Sequence, residues 1–322
     1  MKVLVCHRDH GSRKLIERLT PLIPNITLVD CPPGAPVGPL EGIDAILAIG
    51  HIDRAAMEAG RFGFVQTVGT GYEHVDLEAA TDLGIRVAHI PSSETGNAES
   101  VAEHAILLML AVSRHLPAAI EGLRERRWAQ PVGRALLGKT ACVVGLGSAG
   151  LAVAHRLHGF GMKITATRRQ FEKGAPLYVH LYREEHLRQA IGEADYTILC
   201  LRASAHNAGL FDAGMLAAMK RGAILINIAR GSLIDEDALV AALQSGHLRG
   251  AGLDVFRDEP ADPGRPLFQL PQVIATPHVA GVTDVNLART FQLLAENLER
   301  YRKGEMPRYL VNAPHGRRAG GR

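Results

Sequence analysis

KTACVVGLGSAGLAVAHRLHGFGMKITATRR, residues 139–169, is the stretch from which the fold is read. An apolar run, TACVVG, ends at Gly145, and glycines recur at Gly147 and Gly150. A helix-forming segment follows, and a second apolar, β-branched run begins near Met162. Strand, glycine turn, helix and strand together form the βαβ context that gives a GxGxxG pattern its meaning. Gly145 permits the tight turn, Gly147 leaves room for a pyrophosphate against the backbone, and Gly150 lets helix and strand approach closely. The helix that opens at Ser148 and Ala149 offers unpaired N–H groups and partial positive charge to phosphates. These five residues are the expected seat of a dinucleotide.

The second strand ends at Arg168, 18 positions past Gly150, followed by Arg169, and no carboxylate occurs until Glu172. A carboxylate at this place accepts hydrogen bonds from the ribose hydroxyls and repels a 2′-phosphate, whereas an arginine does the reverse. The pair therefore predicts NADP (NADPH) as the preferred cofactor, with NAD possible. The plainer alternative is two solvated charges on a turn of an arginine-rich chain.

Outward from this unit, short apolar runs alternate with helix-like segments. KVLVC (2–6), DAILAI (44–49), FVQTVG (64–69) and IRVAHI (85–90) form one series of strands. TACVVG (140–145), KITAT (163–167), YTILCL (196–201), AILINIA (223–229), AGLDVF (251–256) and VIATPH (273–278) form another. Near-continuous apolar strands separated by helices mean parallel sheets covered on both faces. The expected fold class is α/β, with two doubly wound, Rossmann-like parallel-sheet domains. Between the series, residues 97–128 start polar, carry an apolar centre and end basic, which predicts one long helix suited to link domains or pack on another subunit. The amphipathic segment 287–305 is expected to return to the first lobe. The domains are then 1–98 plus 286–322 for substrate and 99–285 for the dinucleotide. The Gly/Arg-rich end, 315–322, reads as a solvated tail.

The bulk composition limits the remaining choices. Of 36 basic residues 29 are arginine, and the net charge of +3 is too small to argue for nucleic acid or an anionic membrane. Cys6, Cys31, Cys142 and Cys200 show no CxxC spacing, and three of them lie in or beside apolar runs, so buried free thiols are expected, with no zinc site. The N-terminus turns polar too early for a signal peptide, and the run AILLMLAV (105–112) is too short to span a bilayer. A soluble, cytoplasmic protein is the expectation.

Three segments after late strands carry reactive residues: NIARGSLIDEDAL with Arg230, GLDVFRDEP with Asp254 and Glu259, and ATPHVAG with His278. In doubly wound sheets, ligands bind at the carboxyl ends of strands. Taken singly, Arg230 reads as a cap partner, Glu259 as a loop charge and His278 as a packed surface histidine. Their order after a dinucleotide site argues against that.

With GLGSAG, those three segments resemble the D-isomer-specific 2-hydroxyacid dehydrogenases. VGTGYEHVDLEAATDLGIRVAHIP (68–91) and NAESVAEHAILLML (97–110) match the same family, so the likeness runs over nearly the whole chain. The resemblance implies two Rossmann-like lobes with the active site in the cleft, and usually a homodimer. It implies that Arg230 binds substrate, that His278 is the acid/base with Glu259 as its partner, and that Asp254 contacts the nicotinamide side. It also implies that the backbone of Val68, Gly69, Thr70 and Gly71 holds the substrate carboxylate.

The chemistry suits those roles. Reducing a 2-oxoacid needs a hydride on the carbonyl carbon and a proton on its oxygen. A histidine, titrating near neutrality, supplies or accepts that proton, and a neighbouring glutamate favours imidazolium. The arginine fork holds a carboxylate and polarises the carbonyl. The glycines of VGTGY let backbone N–H groups reach an anion. No metal is needed.

Some positions depart from the family pattern. Arg202 stands where many relatives have proline, and is expected to help Arg168 and Arg169 around a 2′-phosphate. Glu73, His74 and Ser148 replace commoner residues. Phosphite-oxidising relatives carry lysine at the place of Thr70, and formate-oxidising ones pair the histidine with glutamine rather than Glu259. The reading is an NADPH-dependent reductase of glyoxylate or hydroxypyruvate. The alternatives are an NAD-dependent phosphoglycerate-type dehydrogenase and a nucleotide-sensing, corepressor-like protein of the same fold. Substrate choice falls to residues around Gly50–Arg54 and Val68–Tyr72. There Ile52 is the one bulky apolar side chain expected to face the cleft, which favours a small polar substrate.

Overall fold

The structure, a computed structural model, describes residues 1–6, 12–31 and 40–314. The tail at 315–322 lies outside the described residues. The chain divides into two compact units, Met1–Gly96 with Asp284–Arg322, and Asn97–Thr283.

The first unit holds a five-stranded sheet of β1 (Lys2–Cys6), β2 (Thr27–Asp30), β3 (Ala45–Ala48), β4 (Phe64–Thr67) and β5 (Arg86–Ala88), in the order β2-β1-β3-β4-β5. The second holds β6 (Thr140–Val144), β7 (Lys163–Arg168), β8 (Val179–Arg183), β9 (Tyr196–Leu199), β10 (Ile224–Asn227), β11 (Gly250–Leu253) and β12 (Val273–Ala275). Their order is β12-β11-β10-β9-β6-β7-β8. Every strand pairing in both sheets is parallel. These are the two α/β parallel-sheet domains expected from the strand series.

Alternation along each strand divides its side chains between two cores, as a period of two requires. Val143, Ile164, Ile198 and Ile226 enter one core, which the helices Asn97–Ser113 and Ser148–Gly159 cover. Cys142, Val144, Leu199, Leu225 and Leu253 enter the core on the other face. In the first unit, Leu4, Ile46 and Val65 face one way and Val3, Val5, Leu47 and Phe64 the other. The second of these cores is closed by Leu294, Leu298 and Tyr301 from the helix Asp284–Arg302. The C-terminal helix thus returns to the sheet where the chain began.

The structure adds two strands that the apolar runs did not reveal. Strands β2 and β8 are the outermost strands on one side of each sheet, and both are only partly buried. An edge strand needs no continuous apolar run, so TLVD and VHLYR carry no strong strand signal.

The single helix expected over 97–128 is two helices, Asn97–Ser113 and Leu116–Arg124, bent by 56°. Pro117 lies in the first turn of the second helix. In an uninterrupted helix its ring would clash with the Ser113 carbonyl and its nitrogen would have no proton to donate. His115 turns the chain with a left-handed φ of +51°, and the Ser113 carbonyl accepts from Arg134 N at 2.8 Å instead. Among the described residues, no single helix is long and apolar enough to cross a membrane. Cys6, Cys31 and Cys142 are buried free thiols, and Cys200 is a half-buried one.

Asp195, at the amino end of β9, ties the base of the second sheet together. Its Oδ1 accepts from Arg134 Nη2 at 2.8 Å and Lys220 Nζ at 2.9 Å, and its Oδ2 from Thr140 N at 3.0 Å. Burial works against ionisation here, but the Thr140 N–H, Lys220 and Arg134 outweigh it, and the carboxyl is held below its ordinary value. A depressed folded value means stability that is present above the unfolded value, near 4, and lost as pH falls through the folded one. Asp195→Asn is expected to cost about 1–3 kcal/mol at neutral pH. Thermal unfolding measured across pH should show the gap from wild type closing in acid.

Candidate dinucleotide and proton-transfer site

The order of strands reverses at β6, which lies between β7 and β9, and ligands of doubly wound sheets bind beyond the carboxyl ends at such a point. The three fingerprint glycines differ in what a side chain would meet there. Gly145 has a φ of +97°, and a side chain on it would come within 2.7 Å of the Leu201 backbone beyond β9. A Cβ on Gly150 would collide with the Gly145 carbonyl oxygen. Gly147 has ordinary extended backbone (φ −87°) and caps the helix Ser148–Gly159. A Cβ on it meets nothing within 4 Å. Conformation and packing fix the outer two glycines, while the middle one keeps open space at a helix N-terminus. That is the cradle a pyrophosphate needs, so the residues present fit a dinucleotide.

Arg168 is the last residue of β7, and its Nη1 donates to the Gly174 carbonyl at 2.7 Å. Its guanidinium thus braces the turn that leaves the strand. Arg169 is exposed at the next position, and Arg202 is exposed in the segment after β9. The Arg202 carbonyl accepts from Asn207 Nδ2 at 2.9 Å.

Strand β10 delivers Arg230 through a turn built by Asn227. This fully buried residue donates from Nδ2 to the Arg230 carbonyl at 2.9 Å and accepts the Ala229 N–H on Oδ1 at 3.0 Å. Arg230 Nη1 in turn donates to the Ala229 carbonyl at 2.7 Å. The next residue, Gly231, lies so close to Phe256 that a Cβ would collide with its backbone. Buried Glu236 holds that neighbouring segment, accepting from Arg257 N at 2.6 Å and pairing with Arg265 at 2.6 Å.

Glu259 and His278 meet directly. Glu259 Oε1 accepts from Phe256 N at 3.0 Å, and its Oε2 lies 2.8 Å from His278 Nδ1. Burial pushes the Glu259 carboxyl up, but the His278 bond and charge, the Phe256 N–H and the Arg230 charge together hold it below its ordinary value. An ionised carboxylate can only accept, so Nδ1 carries a proton. The ring, 48% exposed, is then left with Nε2 as the nitrogen able to exchange a proton with a ligand.

His278 has a left-handed φ of +53°, unusual for a residue with a side chain. Its N–H donates to the carbonyls of Asp254 at 2.8 Å and Thr276 at 3.0 Å. The Asp254 side chain is 1% exposed, beneath this turn. Its Oδ1 accepts from Thr276 Oγ1 at 2.6 Å and Val279 N at 2.9 Å, and its Oδ2 from Ala280 N at 2.8 Å. The carboxylate expected to contact a nicotinamide is thus engaged by the turn that carries His278.

The glycine loop after β4, Val68–Gly71, belongs to the first unit. Two of its carbonyls are taken: Gly69 O accepts from Thr67 Oγ1 at 3.0 Å and Ile90 N at 3.1 Å, and Thr70 O from His89 Nδ1 at 3.0 Å. Among the described residues, the N–H groups of Gly69, Thr70 and Gly71 have no such partner. A Cβ on Gly69 would meet nothing within 4 Å, and neither Gly69 nor Gly71 has a positive φ. Gly69 leaves room, and neither glycine serves a left-handed turn. Ile52 is fully buried and bridged to Val75, so it does not face a ligand. Among the described residues, no group of three His, Cys, Asp or Glu side chains is placed to hold a metal.

The second unit therefore brings Glu259, His278 and Asp254 together, with the Arg230 charge acting on Glu259. Sequence reasoning missed Asn227, Thr276 and His104, which hold the turns. A polar residue inside an apolar run was their one visible signal.

A family profile described as the NAD binding domain of the D-isomer specific 2-hydroxyacid dehydrogenases matches residues 106–280. A D-3-phosphoglycerate dehydrogenase of Mycobacterium tuberculosis is 39% identical over 262 residues, covering 80% of this chain and 48% of that protein. The chain thus spans about half the length of those relatives. A glyoxylate reductase of Korarchaeum cryptofilum is 35% identical over 273 residues, covering 81% of this chain and 80% of the relative. Among solved structures, an NADPH-dependent glyoxylate/hydroxypyruvate reductase of Sinorhizobium meliloti, in complex with NADP and malonate, superposes with a TM-score of 0.84. It is 31% identical and covers 96% of each chain.

The glycine geometry separates folding from binding. Gly147→Ala is expected to leave the unfolding temperature within a degree or two of wild type, about 0.5 kcal/mol, while lowering dinucleotide affinity. Gly150→Ala is expected to destabilise by about 1–3 kcal/mol through the clash with Gly145. Calorimetric unfolding and fluorescence titration with dinucleotide check both outcomes.

Proposed function

The chain belongs to the D-isomer-specific 2-hydroxyacid dehydrogenase family, and from that premise we propose that it reduces a small 2-oxoacid, glyoxylate or hydroxypyruvate, with NADPH. The observation that carries the reading is the 2.8 Å bond from Glu259 to His278 Nδ1, which leaves Nε2 for a substrate oxygen.

When bound, the nicotinamide supplies the hydride. The protein's own residues do the rest. Gly145, Gly147, Ser148, Ala149 and Gly150 hold the pyrophosphate at the helix N-terminus. The Arg230 guanidinium holds the substrate carboxylate and polarises its carbonyl. In the first unit, the N–H groups of Gly69, Thr70 and Gly71 suit an anion, while that of Val68 is bonded to the Ala48 carbonyl at 3.3 Å. His278, as imidazolium, gives its Nε2 proton to the carbonyl oxygen as the alcohol forms. Ionised Glu259 stabilises the imidazolium and fixes its orientation. Reduction consumes a proton, so it is favoured at low pH, and oxidation of the 2-hydroxyacid, which releases one, at high pH.

The absence of a carboxylate between the end of β7 and Glu172, and the two arginines in its place, support NADPH over NADH. The Gly174 bond commits part of Arg168, so exposed Arg169 is assigned the larger share of the 2′-phosphate, with Arg202 assisting. A homodimer is supported by apolar side chains exposed along Leu116–Val132, with Trp128 at 78% and Val132 at 85% exposure. Sedimentation should then give twice the 34.6 kDa chain mass.

A second reading, oxidation of 3-phosphoglycerate with NAD, is favoured by the 39% identity to the mycobacterial enzyme. Assays of glyoxylate, hydroxypyruvate and 3-phosphoglycerate with both dinucleotides separate the two. Turnover of phosphoglycerate alone would reject the first reading.

Two substitutions test the roles. His278→Ala is expected to lower kcat by about 10²–10⁴-fold with dinucleotide affinity unchanged, and surviving turnover would remove His278 from the chemistry. Arg169→Gln is expected to weaken NADPH by about 10–100-fold and leave NADH nearly unaffected. Equal effects on both cofactors would return the arginine to a solvated charge.

A further inference from the structure

His104 lies on the helix Asn97–Ser113, with its side chain 12% exposed, and reaches the underside of the turn that carries His278. Its Nε2 is 2.8 Å from Thr276 Oγ1 and 3.4 Å from Asp254 Oδ1. The Thr276 hydroxyl has one proton, and it is given to Asp254 at 2.6 Å. Thr276 Oγ1 can therefore only accept from His104, which fixes the tautomer with hydrogen on Nε2. The bonds run in one direction, from His104 to Thr276 to Asp254.

Asp254 then determines the turn twice over. Its carboxylate takes the N–H groups of Val279 and Ala280, and its backbone carbonyl takes that of His278. A left-handed residue with a side chain is strained and persists only where its surroundings enforce it. Here the enforcement ends at His104. Without that donor, the Thr276 hydroxyl is free to rotate away from Asp254, and the carboxylate loses its shortest bond.

We propose that His104 is a positioning residue for the proton transfer, holding His278 in register through Thr276 and Asp254. The inference rests on the reading of His278 as the acid/base. Its effect is on orientation, exerted through the contacts of His104 Nε2 with Thr276 Oγ1 and Asp254 Oδ1.

The test uses the full chain with His104→Leu, His104→Gln, Thr276→Val and the Leu/Val double variant. The glutamine amide nitrogen reaches as far as Nε2 and also donates. His104→Leu is expected to lower kcat by roughly 10–100-fold, with KM for the oxoacid and dinucleotide affinity little changed, and His104→Gln to restore most of the loss. The double variant should be no slower than the worse single one, since both break one chain of bonds. Independent, multiplying losses, or no recovery with glutamine, would overturn the proposal. The His278 ring resonance, identified by its loss in His278→Ala, gives a readout without substrate. It should shift in His104→Leu and Thr276→Val and stay close to wild type in His104→Gln. An unmoved resonance in His104→Leu would sink the idea. If wild type turns over no 2-oxoacid, the functional reading fails, while the resonance still decides whether His104 controls the turn.

Discussion

A parallel strand covered on both faces can place its charged residues only at its two ends. The inner strands of the second unit obey this, with β9, β10 and β11 buried along their whole lengths. At the amino ends the polar groups are spent on cohesion: Asp195 draws Arg134, Lys220 and Thr140 into one cluster. At the carboxyl ends they face the other way. Asn227 finishes β10 and Asp254 follows β11, and the two shape the turns from which Arg230 and His278 project. The division between stability and chemistry follows from the burial of the sheet.

What was legible in the sequence follows the same constraint. Inner strands are largely apolar and carry no interior charge, so TACVVG or AILINIA stands out and the sheet can be inferred. Strands β2 and β8 escape because an outer strand has a wet side. The break after Ser113 escapes because the apolar pattern of 105–112 is strong and Pro117 falls just beyond it, where a helix can equally begin. Local geometry was legible too: a side chain on Gly145 or Gly150 would collide, whereas Gly147 faces open space at the helix N-terminus.

The candidate site was legible in its ends and not in its supports. Arg230, Glu259 and His278 follow strands and are charged or titratable, so their types suggest roles. Thr276 and His104 are separated by 172 positions in the chain, and only folding reveals that they share a hydrogen bond. Asp254 shows a subtler failure. Its type and place were visible, but whether its carboxylate faces a ligand or the turn beneath His278 depends on backbone N–H directions that no side-chain pattern records. Arg168 is similar, since its bond to the Gly174 carbonyl comes from the path of the following turn.

The left-handed backbone of His278 also restricts its replacements. At φ +53°, glycine and asparagine are the residues that accommodate the turn with least strain, while β-branched ones fit worst. With His278 as the proposed acid/base, neither of these residues can take over its proton near neutral pH. A lineage under no pressure to keep the reaction can therefore abandon it at this one position with the sheet, the glycine cradle and the Asp254 bonds intact. Such a descendant would still recognise its nucleotide. In this architecture, the step from a catalyst to a silent receptor is a single codon change away from being structurally free.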